Sequence, residues 1–179
     1  MKIILDSKQI EQIISELAEK IAAGIDEKLF DDIVTIGIRS RGEILAQRLA
    51  AQLSKKLDRD VPCGTLDITL YRDDFNSPHL FDQPQVRTTE IGFDIDDKLV
   101  ILIDDVLHTG RSTRAALDAL IDLGRPDVIK LAVLVDREGR EFPIQADFAG
   151  YKAEVGPTEL VRVNFVESDG QDRVYIEIK

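Results

Sequence analysis

Hydrophobic positions along the first part of the chain alternate between helical and strand spacing. After Ser7, apolar residues recur every three or four positions as far as Gly24, which predicts a helix with Ser7 as its capping residue. The short β-branched run Ile33–Ile38 predicts a strand that is covered on both faces. A second helical pattern follows in Ile44, Leu45, Leu49 and Leu53.

The rest of the chain continues this alternation. The predicted elements are strands at Cys63–Leu70, Leu99–Ile103 and Ile129–Val135, a helix at Arg111–Leu123 that Gly124 and Pro126 end, and a closing antiparallel pair at Leu160–Val166 and Val174–Ile178. Alternating strands and helices predict an α/β fold with a central parallel sheet, flanking helices and right-handed crossovers. We expect residues 1–179 to form a single domain.

Residues 71–90 interrupt the pattern. This stretch contains Pro78, Pro84 and several charges, and it has no helical or strand periodicity. A segment of that length is unusual inside a compact domain. It predicts either a disordered excursion or a lid that closes over a ligand.

Composition narrows the classes of function. The net charge of −11 disfavours a generic polyanion binder, whose domain is usually basic. With one cysteine, Cys63, and two histidines, His79 and His108, the sequence cannot assemble a Cys/His metal cluster, so any metal should be a hard cation. The sequence has no apolar tract of the roughly 20 residues that a membrane span needs, so we expect a cytoplasmic protein.

The segment Val100–Thr113 carries the clearest chemical signal. An apolar strand ends in Asp104 and Asp105, and a Thr-Gly turn then leads into a helix. Ligands of open α/β sheets bind beyond the carboxyl ends of the strands, and a helix N-terminus suits a phosphate. Gly110 lets the backbone approach that anion closely. The two carboxylates suit ribose hydroxyls and a magnesium-bound oxygen, although capping of the helix is the simpler alternative for either one.

This segment resembles the signature with which type I phosphoribosyltransferases bind 5-phosphoribosyl-1-pyrophosphate (PRPP). The likeness extends to Ile36–Gly42, Leu66–Asp74, Ala115–Pro126 and Leu131–Arg137, which resemble the pyrimidine operon attenuation regulators, the PyrR family. Members of that family are also uracil phosphoribosyltransferases. The resemblance covers roughly the whole chain, and it implies a type I phosphoribosyltransferase-like fold with a flexible hood loop at residues 71–90, a small antiparallel C-terminal addition, and a homodimer or homotetramer.

The resemblance also implies a set of site residues. Those expected to bind PRPP are Ser40, Arg41, Asp104, Asp105, Val106, Leu107, His108, Thr109, Gly110, Arg111, Ser112 and Thr113. Those expected in the hood loop are Arg72, Asp73, Asp74 and Arg87, and those facing the base are Asp136 and Arg137. Catalytic roles would fall to Arg41, Asp104, Asp105 and His108.

The implied reaction is displacement of pyrophosphate from PRPP by N1 of uracil, which gives UMP. Mg²⁺ would act mainly through PRPP, with Asp104 and Asp105 as its protein contacts, and Arg41 with Arg87 would stabilise the departing charge. An mRNA leader is a further implied partner. Because the basic residues are scattered among acids, a mixed-charge surface is the alternative to an RNA-binding face.

Departures from the family pattern leave two questions open. His108 stands where we expect an aromatic residue, and it would serve either as a base toward the nucleobase or as a packing residue. Glu138-Gly139 and Glu154-Val155-Gly156 also differ from the family near the base pocket. The alternatives to uracil transfer are therefore a purine-type base, or a nucleotide-sensing regulator with little catalysis.

Overall fold

A computed structural model describes residues 1–73 and 86–178. Its strands are β1 (Lys2–Leu5), β2 (Ile33–Ile38), β3 (Cys63–Leu66), β4 (Leu99–Leu107), β5 (Val128–Arg137), β6 (Phe148–Ala153), β7 (Glu159–Asn164) and β8 (Arg173–Ile178). Its α-helices are α1 (Ser7–Ala23), α2 (Arg41–Leu57), α3 (Arg111–Leu123) and α4 (Val166–Asp169), and short 3₁₀ turns lie at Glu27–Asp32 and Thr69–Tyr71. None of the described helices is long and apolar enough to cross a membrane.

A five-stranded sheet in the order β3-β2-β4-β5-β6 forms the centre, and its neighbouring strands run parallel. Alternate residues of β4 point to opposite faces. Ile101 packs with α1 and α2 on one face, whereas Leu102 packs with α3 on the other. The continuous apolar strands expected of a sheet covered on both faces are thus confirmed, as is the α/β fold.

A second, antiparallel sheet has the order β1-β8-β7, and its Val163 and Val174 pack into the same core as Ile101. Its β7–β8 hairpin confirms the predicted C-terminal addition, but β7 ends at Asn164 and not at Val166. Val166 instead begins α4, a single helical turn that closes at Gly170 with φ 75°. Strand β1 was not predicted, because four residues carry too little periodicity.

Hydrogen bonding in the structure corrects the predicted bounds of one helix and two strands. Asp6, not Ser7, caps α1, since its side chain accepts from the Gln9 backbone N–H at 2.9 Å. β3 ends at Leu66 and not at Leu70, because the Asp67 carboxylate accepts from the Thr69 backbone N–H at 3.1 Å and turns the chain out of the sheet. β4 continues past Ile103, since β5 pairs with it as far as Leu107.

The predicted hood loop is described only at its ends. Residues 74–85, including Asp74, lie outside the described residues, so the structure does not choose between a lid and an excursion. At the described ends, Thr65 and Glu90 form a backbone bridge, with both N–H···O distances at 2.8 Å. The two ends of the loop therefore start from the same edge of the sheet, beside β3.

Candidate active site

Strand β4 delivers two adjacent acids to the carboxyl edge of the central sheet. Asp104 is only 8% exposed, and its Oδ1 accepts from the Asp105 backbone N–H at 3.0 Å. Burial raises the pKa of Asp104 well above its usual value, and the neighbouring Asp105 adds to the rise. Burial also raises the pKa of Asp105, while a hydrogen bond from Asp104 and the charge of Arg41 lower it. The pair therefore gains by accepting hydrogen bonds from a ligand that bears hydroxyl groups.

A small polar cavity of about 250 Å³ opens over these acids. It brings together several segments that the sequence predicted to be functional. Its lining includes Ser40, Arg41, Asp67, Arg72, Asp104, Asp105, Val106 and Ser112. The carboxyl ends of β2 and β4, the start of the hood segment and the start of α3 thus meet at one place, as the switch-point rule for parallel sheets predicts.

The start of α3 supplies backbone donors beside this cavity. Gly110 precedes the helix with φ 88°, a left-handed conformation that favours glycine. A Cβ added there would also lie 3.2 Å from Cβ of Phe142. No side chain caps the helix, although the Arg111 backbone N–H donates to Thr109 Oγ1 at 3.3 Å. The positive end of a 13-residue helix therefore faces the cavity in a form that suits an anion.

The remaining residues of this loop take different positions. Ser112 lines the cavity and His108 and Thr109 are half-buried, whereas Thr113 is buried at 3% exposure and Leu107 belongs to the core. Thr113 and Leu107 would therefore contribute through the backbone rather than through their side chains.

Arg41 and Ser40 lie on the opposite side of the cavity. Ser40 follows a cis peptide bond from Arg39 and precedes α2, of which Arg41 is the first residue. The Arg41 guanidinium forms an ion pair with Asp169 at 2.7 Å, and the hydrogen bond that it donates to that carboxylate raises the pKa of Arg41. The predicted pyrophosphate-binding arginine thus has a protein partner that the sequence did not reveal.

The described hood residues contact the cavity lining or the start of α3. Arg72 lines the cavity, and Asp73 forms an ion pair with Arg111. The Arg87 backbone N–H donates to Asp67 Oδ2 at 2.6 Å, and the Asp67 backbone N–H donates to Thr89 Oγ1 at 3.1 Å, so Asp67 joins the last part of the hood segment to the residues that follow β3. Asp67 was missed as a site residue, although it lies within a motif that the sequence singled out.

The predicted base-binding residues lie at the end of β5. Asp136 pairs with Arg140, and Arg137 is buried, with its Nη1 donating to the Glu159 carbonyl at 2.7 Å. Desolvation lowers the pKa of Arg137. Both residues line a second, larger cavity of about 770 Å³ beside β6. The Arg137 guanidinium therefore binds the backbone at the start of β7.

Arg140 was missed by the sequence reasoning. Its Nη1 donates to the carbonyls of Leu107, His108 and Arg137 at 3.3, 2.6 and 2.7 Å. Its Nε donates to the Ile144 carbonyl at 2.9 Å. Arg140 thereby joins the loop before α3 to the end of β5, a connection that local sequence patterns do not encode.

His108 lies against this same segment. Gly139 has φ 109°, and a Cβ added there would lie 2.6 Å from His108 Nε2. The absence of a side chain at Gly139 thus makes room for the imidazole. This contact supports the packing interpretation of His108, and its role as a base stays a prediction.

The described residues do not form a metal site of their own. No group of three or more His, Cys, Asp or Glu side chains suited to a metal occurs within residues 1–73 and 86–178. The Asp104–Asp105 pair offers hard oxygen ligands, which fits Mg²⁺ held mainly by ligand oxygens and water.

Comparisons with known proteins show which families have a similar sequence. Residues 1–164 match the family model described as the phosphoribosyl transferase domain. A protein of Ligilactobacillus salivarius named bifunctional protein PyrR is 48% identical over 176 residues, with 98% of each chain covered. A protein of the same name from Deinococcus radiodurans is 48% identical over 171 residues, which are 96% of this chain and 91% of that one.

Solved structures agree on the fold. The hypoxanthine phosphoribosyltransferase of Trypanosoma cruzi superposes with a TM-score of 0.71 over 99% of this chain and 97% of its own, at 18% identity. A purine phosphoribosyltransferase from Pyrococcus horikoshii gives a TM-score of 0.60 over 83% of this chain and 85% of its own, at 24% identity. At these identities the likeness establishes the fold and not the base.

Proposed function

The chain belongs to the phosphoribosyl transferase domain family and, within it, to the relatives named bifunctional protein PyrR, and from this we propose that it transfers the phosphoribosyl group of PRPP to uracil in the cytoplasm. The products would be UMP and pyrophosphate. The single observation that carries the proposal is the polar cavity in which the Asp104–Asp105 pair, the Ser40-Arg41 turn and the start of α3 meet.

Each part of PRPP has a complementary partner around this cavity. The ribose hydroxyls would donate to the carboxylate oxygens of Asp104 and Asp105, which line the cavity. The 5-phosphate would accept from the backbone N–H groups that follow Gly110. The pyrophosphate would lie beside Ser40 and Arg41, because a guanidinium binds phosphate oxygens through paired N–H donors.

The reaction would then be a substitution at the ribose C1. The bond from C1 to the pyrophosphate oxygen breaks, a bond from uracil N1 to C1 forms, and the N1 proton leaves. Positive charge that develops on the ribose would be stabilised by Asp104 and Asp105, and negative charge on pyrophosphate by Arg41. His108 is one candidate acceptor for the N1 proton.

Mg²⁺ fits this site as a partner of PRPP. Asp104 and Asp105 would be its protein contacts, and when bound it would neutralise charge on the pyrophosphate oxygens. Arg72 at the cavity lining and Arg87 beside Asp67 would help to exclude water from the reacting carbon. A homodimer or homotetramer belongs to the same proposal.

The choice of uracil rests on the PyrR likeness. A purine-type base is the alternative, since solved relatives with this fold bear purine and hypoxanthine names. A panel of bases assayed for pyrophosphate release at fixed PRPP and Mg²⁺ separates the two. We expect release with uracil, and its loss in the Asp104→Asn/Asp105→Asn variant. Release with hypoxanthine or xanthine but not with uracil would refute the base assignment.

Regulation through RNA is a second candidate, and the word bifunctional in the relatives' name favours it. Charge placement gives it less support. Lys56, Arg59 and Lys130 form ion pairs with Glu19, Asp31 and Asp147, so these basic side chains stand beside acids on the surface. RNA binding to an mRNA leader should appear in a filter-binding assay as a UMP-dependent affinity that falls steeply with salt. Absence of binding at low salt would leave transfer as the function.

A further inference from the structure

An acidic turn of the C-terminal sheet contacts one side of the PRPP cavity. Helix α2 carries two arginines seven residues apart, Arg41 and Arg48, which therefore lie on the same helix face. Both reach the turn that contains α4. Arg48 binds Glu167 at 2.6 Å and Asp172 at 2.7 Å, and its guanidinium lies 4.8 Å from the centre of the Phe165 ring. Arg48 therefore fixes the turn against α2, at a point away from the cavity.

The first arginine makes a two-point contact with the same turn. Arg41 Nη2 donates to Asp169 Oδ1 at 2.7 Å, and its Nε donates to Oδ2 at 3.3 Å. Such paired contacts fix the plane of the guanidinium and not only its charge. The Nε–H and one N–H of Nη2 bind Asp169, so the N–H groups of Nη1 remain to bind a ligand.

Asp169 is itself held in place. Its Oδ2 accepts from the Phe165 backbone N–H at 3.0 Å and from Ser168 Oγ at 2.7 Å. The hydrogen bond from Arg41, together with these donors, lowers the pKa of Asp169 to about 2. The carboxylate is thus ionised and oriented throughout the neutral range, before any ligand binds.

Arg41 also stands between two polar cavities. It lines the 250 Å³ cavity with Asp104 and Asp105, and it lines a neighbouring cavity of about 480 Å³ with Tyr175 and Arg162. Without a partner at Asp169, a long arginine side chain could turn toward either space. The Asp105 carboxylate, whose charge also acts on Arg41, would be the nearest competing partner.

We propose that Asp169 is a positioning residue that fixes the Arg41 guanidinium for the pyrophosphate group of PRPP. The inference rests on the proposed function, because it needs PRPP as the ligand of this cavity. Asp169 acts through Arg41 and does not touch the substrate. Asp169 preorganises the site, because the Arg41 side chain loses its rotamer freedom when the protein folds and not when the ligand binds.

The test compares carboxylate-to-amide changes within one turn. Asp169→Asn removes the charge that orients Arg41, whereas Glu167→Gln makes the same chemical change at a partner of Arg48. Binding of pyrophosphate and of PRPP, each with Mg²⁺, is measured by calorimetry on the full chain, together with KM for PRPP and kcat. We expect Asp169→Asn to weaken pyrophosphate binding about tenfold, or about 1.4 kcal/mol, and to raise KM for PRPP more than it lowers kcat. Glu167→Gln should leave both within about twofold of the parent protein.

A second, milder variant protects the test against misfolding. Ser168→Ala removes one donor to Asp169 on an exposed residue, and it should weaken pyrophosphate binding in the same direction by about twofold to threefold. In an Arg41→Ala background, Asp169→Asn should have no further effect on pyrophosphate binding, because the residue acts only through Arg41.

Several results would overturn the inference. Unchanged or tighter pyrophosphate binding in Asp169→Asn would mean that Asp169 merely competes for Arg41. An equal loss in Glu167→Gln would mean that the turn matters only for stability. A further loss in the Arg41→Ala background would mean that Asp169 acts by another route. If the parent protein binds neither PRPP nor pyrophosphate, the proposed function itself fails and the inference falls with it.

Discussion

Replacing Asp104 with asparagine should make the protein more stable and unable to bind PRPP. Asp104 is buried beside a second carboxyl group, and its pKa is raised well above the usual value by that burial and by Asp105. Asparagine keeps the oxygen that accepts from the Asp105 backbone N–H at 3.0 Å. It also adds an N–H that can donate to the neighbouring Asp105 carboxylate, and it carries no charge.

The size of the gain follows from the burial of Asp104 beside a second carboxyl group. Burial of a polar group that hydrogen bonds do not fully compensate costs about 1–3 kcal/mol. Because asparagine relieves part of that cost and keeps the existing hydrogen bond, we expect a gain of about 1–2 kcal/mol in the free energy of unfolding at neutral pH. For a chain of this size that corresponds to a rise in Tm of roughly 2–8 °C.

The gain should depend on pH with a definite sign. A carboxyl group whose pKa is raised in the folded state binds more protons folded than unfolded, so the stability of the parent protein falls as pH rises above the ordinary carboxyl pKa of about 3.9. The advantage of Asp104→Asn should therefore be small near pH 4 and grow toward pH 7.5. Thermal unfolding at both pH values measures this, with Asp60→Asn at an exposed position as the control.

Ligand binding completes the experiment. Mg²⁺ and PRPP should raise Tm of the parent protein and of Asp60→Asn, but not of Asp104→Asn, because an amide N–H replaces one of the oxygens that would accept from the ribose hydroxyls. A lower Tm for Asp104→Asn at pH 7.5, or an advantage that is larger at pH 4 than at pH 7.5, would refute the reasoning about the buried pair.

Three further changes probe the loop that leads into α3. Gly110→Ala should cost about 1–2 kcal/mol in urea unfolding and weaken PRPP binding. The reason is that φ is 88° and the new Cβ would lie 3.2 Å from Phe142 Cβ. Unchanged PRPP binding would count against the anion site. Arg140→Lys should raise KM for PRPP by about tenfold, since an ammonium cannot serve the same set of carbonyls, and an unchanged KM would show that the bridge to β5 is dispensable. His108→Phe should retain turnover with an unchanged pH profile if its contact with Gly139 is packing, and loss of one limb of that profile would instead indicate a base.

Much of the fold was predictable from periodicity. The bounds of β2 and α3 agree with the predicted Ile33–Ile38 and Arg111–Leu123, because a buried β-branched run and a glycine-ended amphipathic pattern are both strong local signals. β1 and β6 were missed. β1 has only four residues and pairs with β8 at the far end of the chain, which local spacing does not report. β6 lies next to β5, but its sequence Phe-Ala-Gly-Tyr-Lys-Ala has neither a β-branched run nor regular alternation.

The site residues also fall into two groups, those within one local motif and those that come from distant parts of the chain. The strand, turn and helix around Asp104 and Gly110 form one local motif, so the sequence was sufficient to single them out. Asp169 lies 128 residues from Arg41, and Arg140 lies 32 residues from the His108 carbonyl that it binds. Such contacts depend on the packing of two sheets and a connecting segment. Only the folded structure brings these side chains together.

Transfer of the phosphoribosyl group can be followed by ³¹P NMR of PRPP, uracil and Mg²⁺ incubated with the protein. We expect the diphosphate signals of PRPP to give way to free pyrophosphate and the 5′-phosphate signal of UMP to grow in equal amount. Persistence of the PRPP signals, or release of pyrophosphate with ribose 5-phosphate in place of UMP, would contradict the claim that this protein transfers phosphoribosyl groups to uracil.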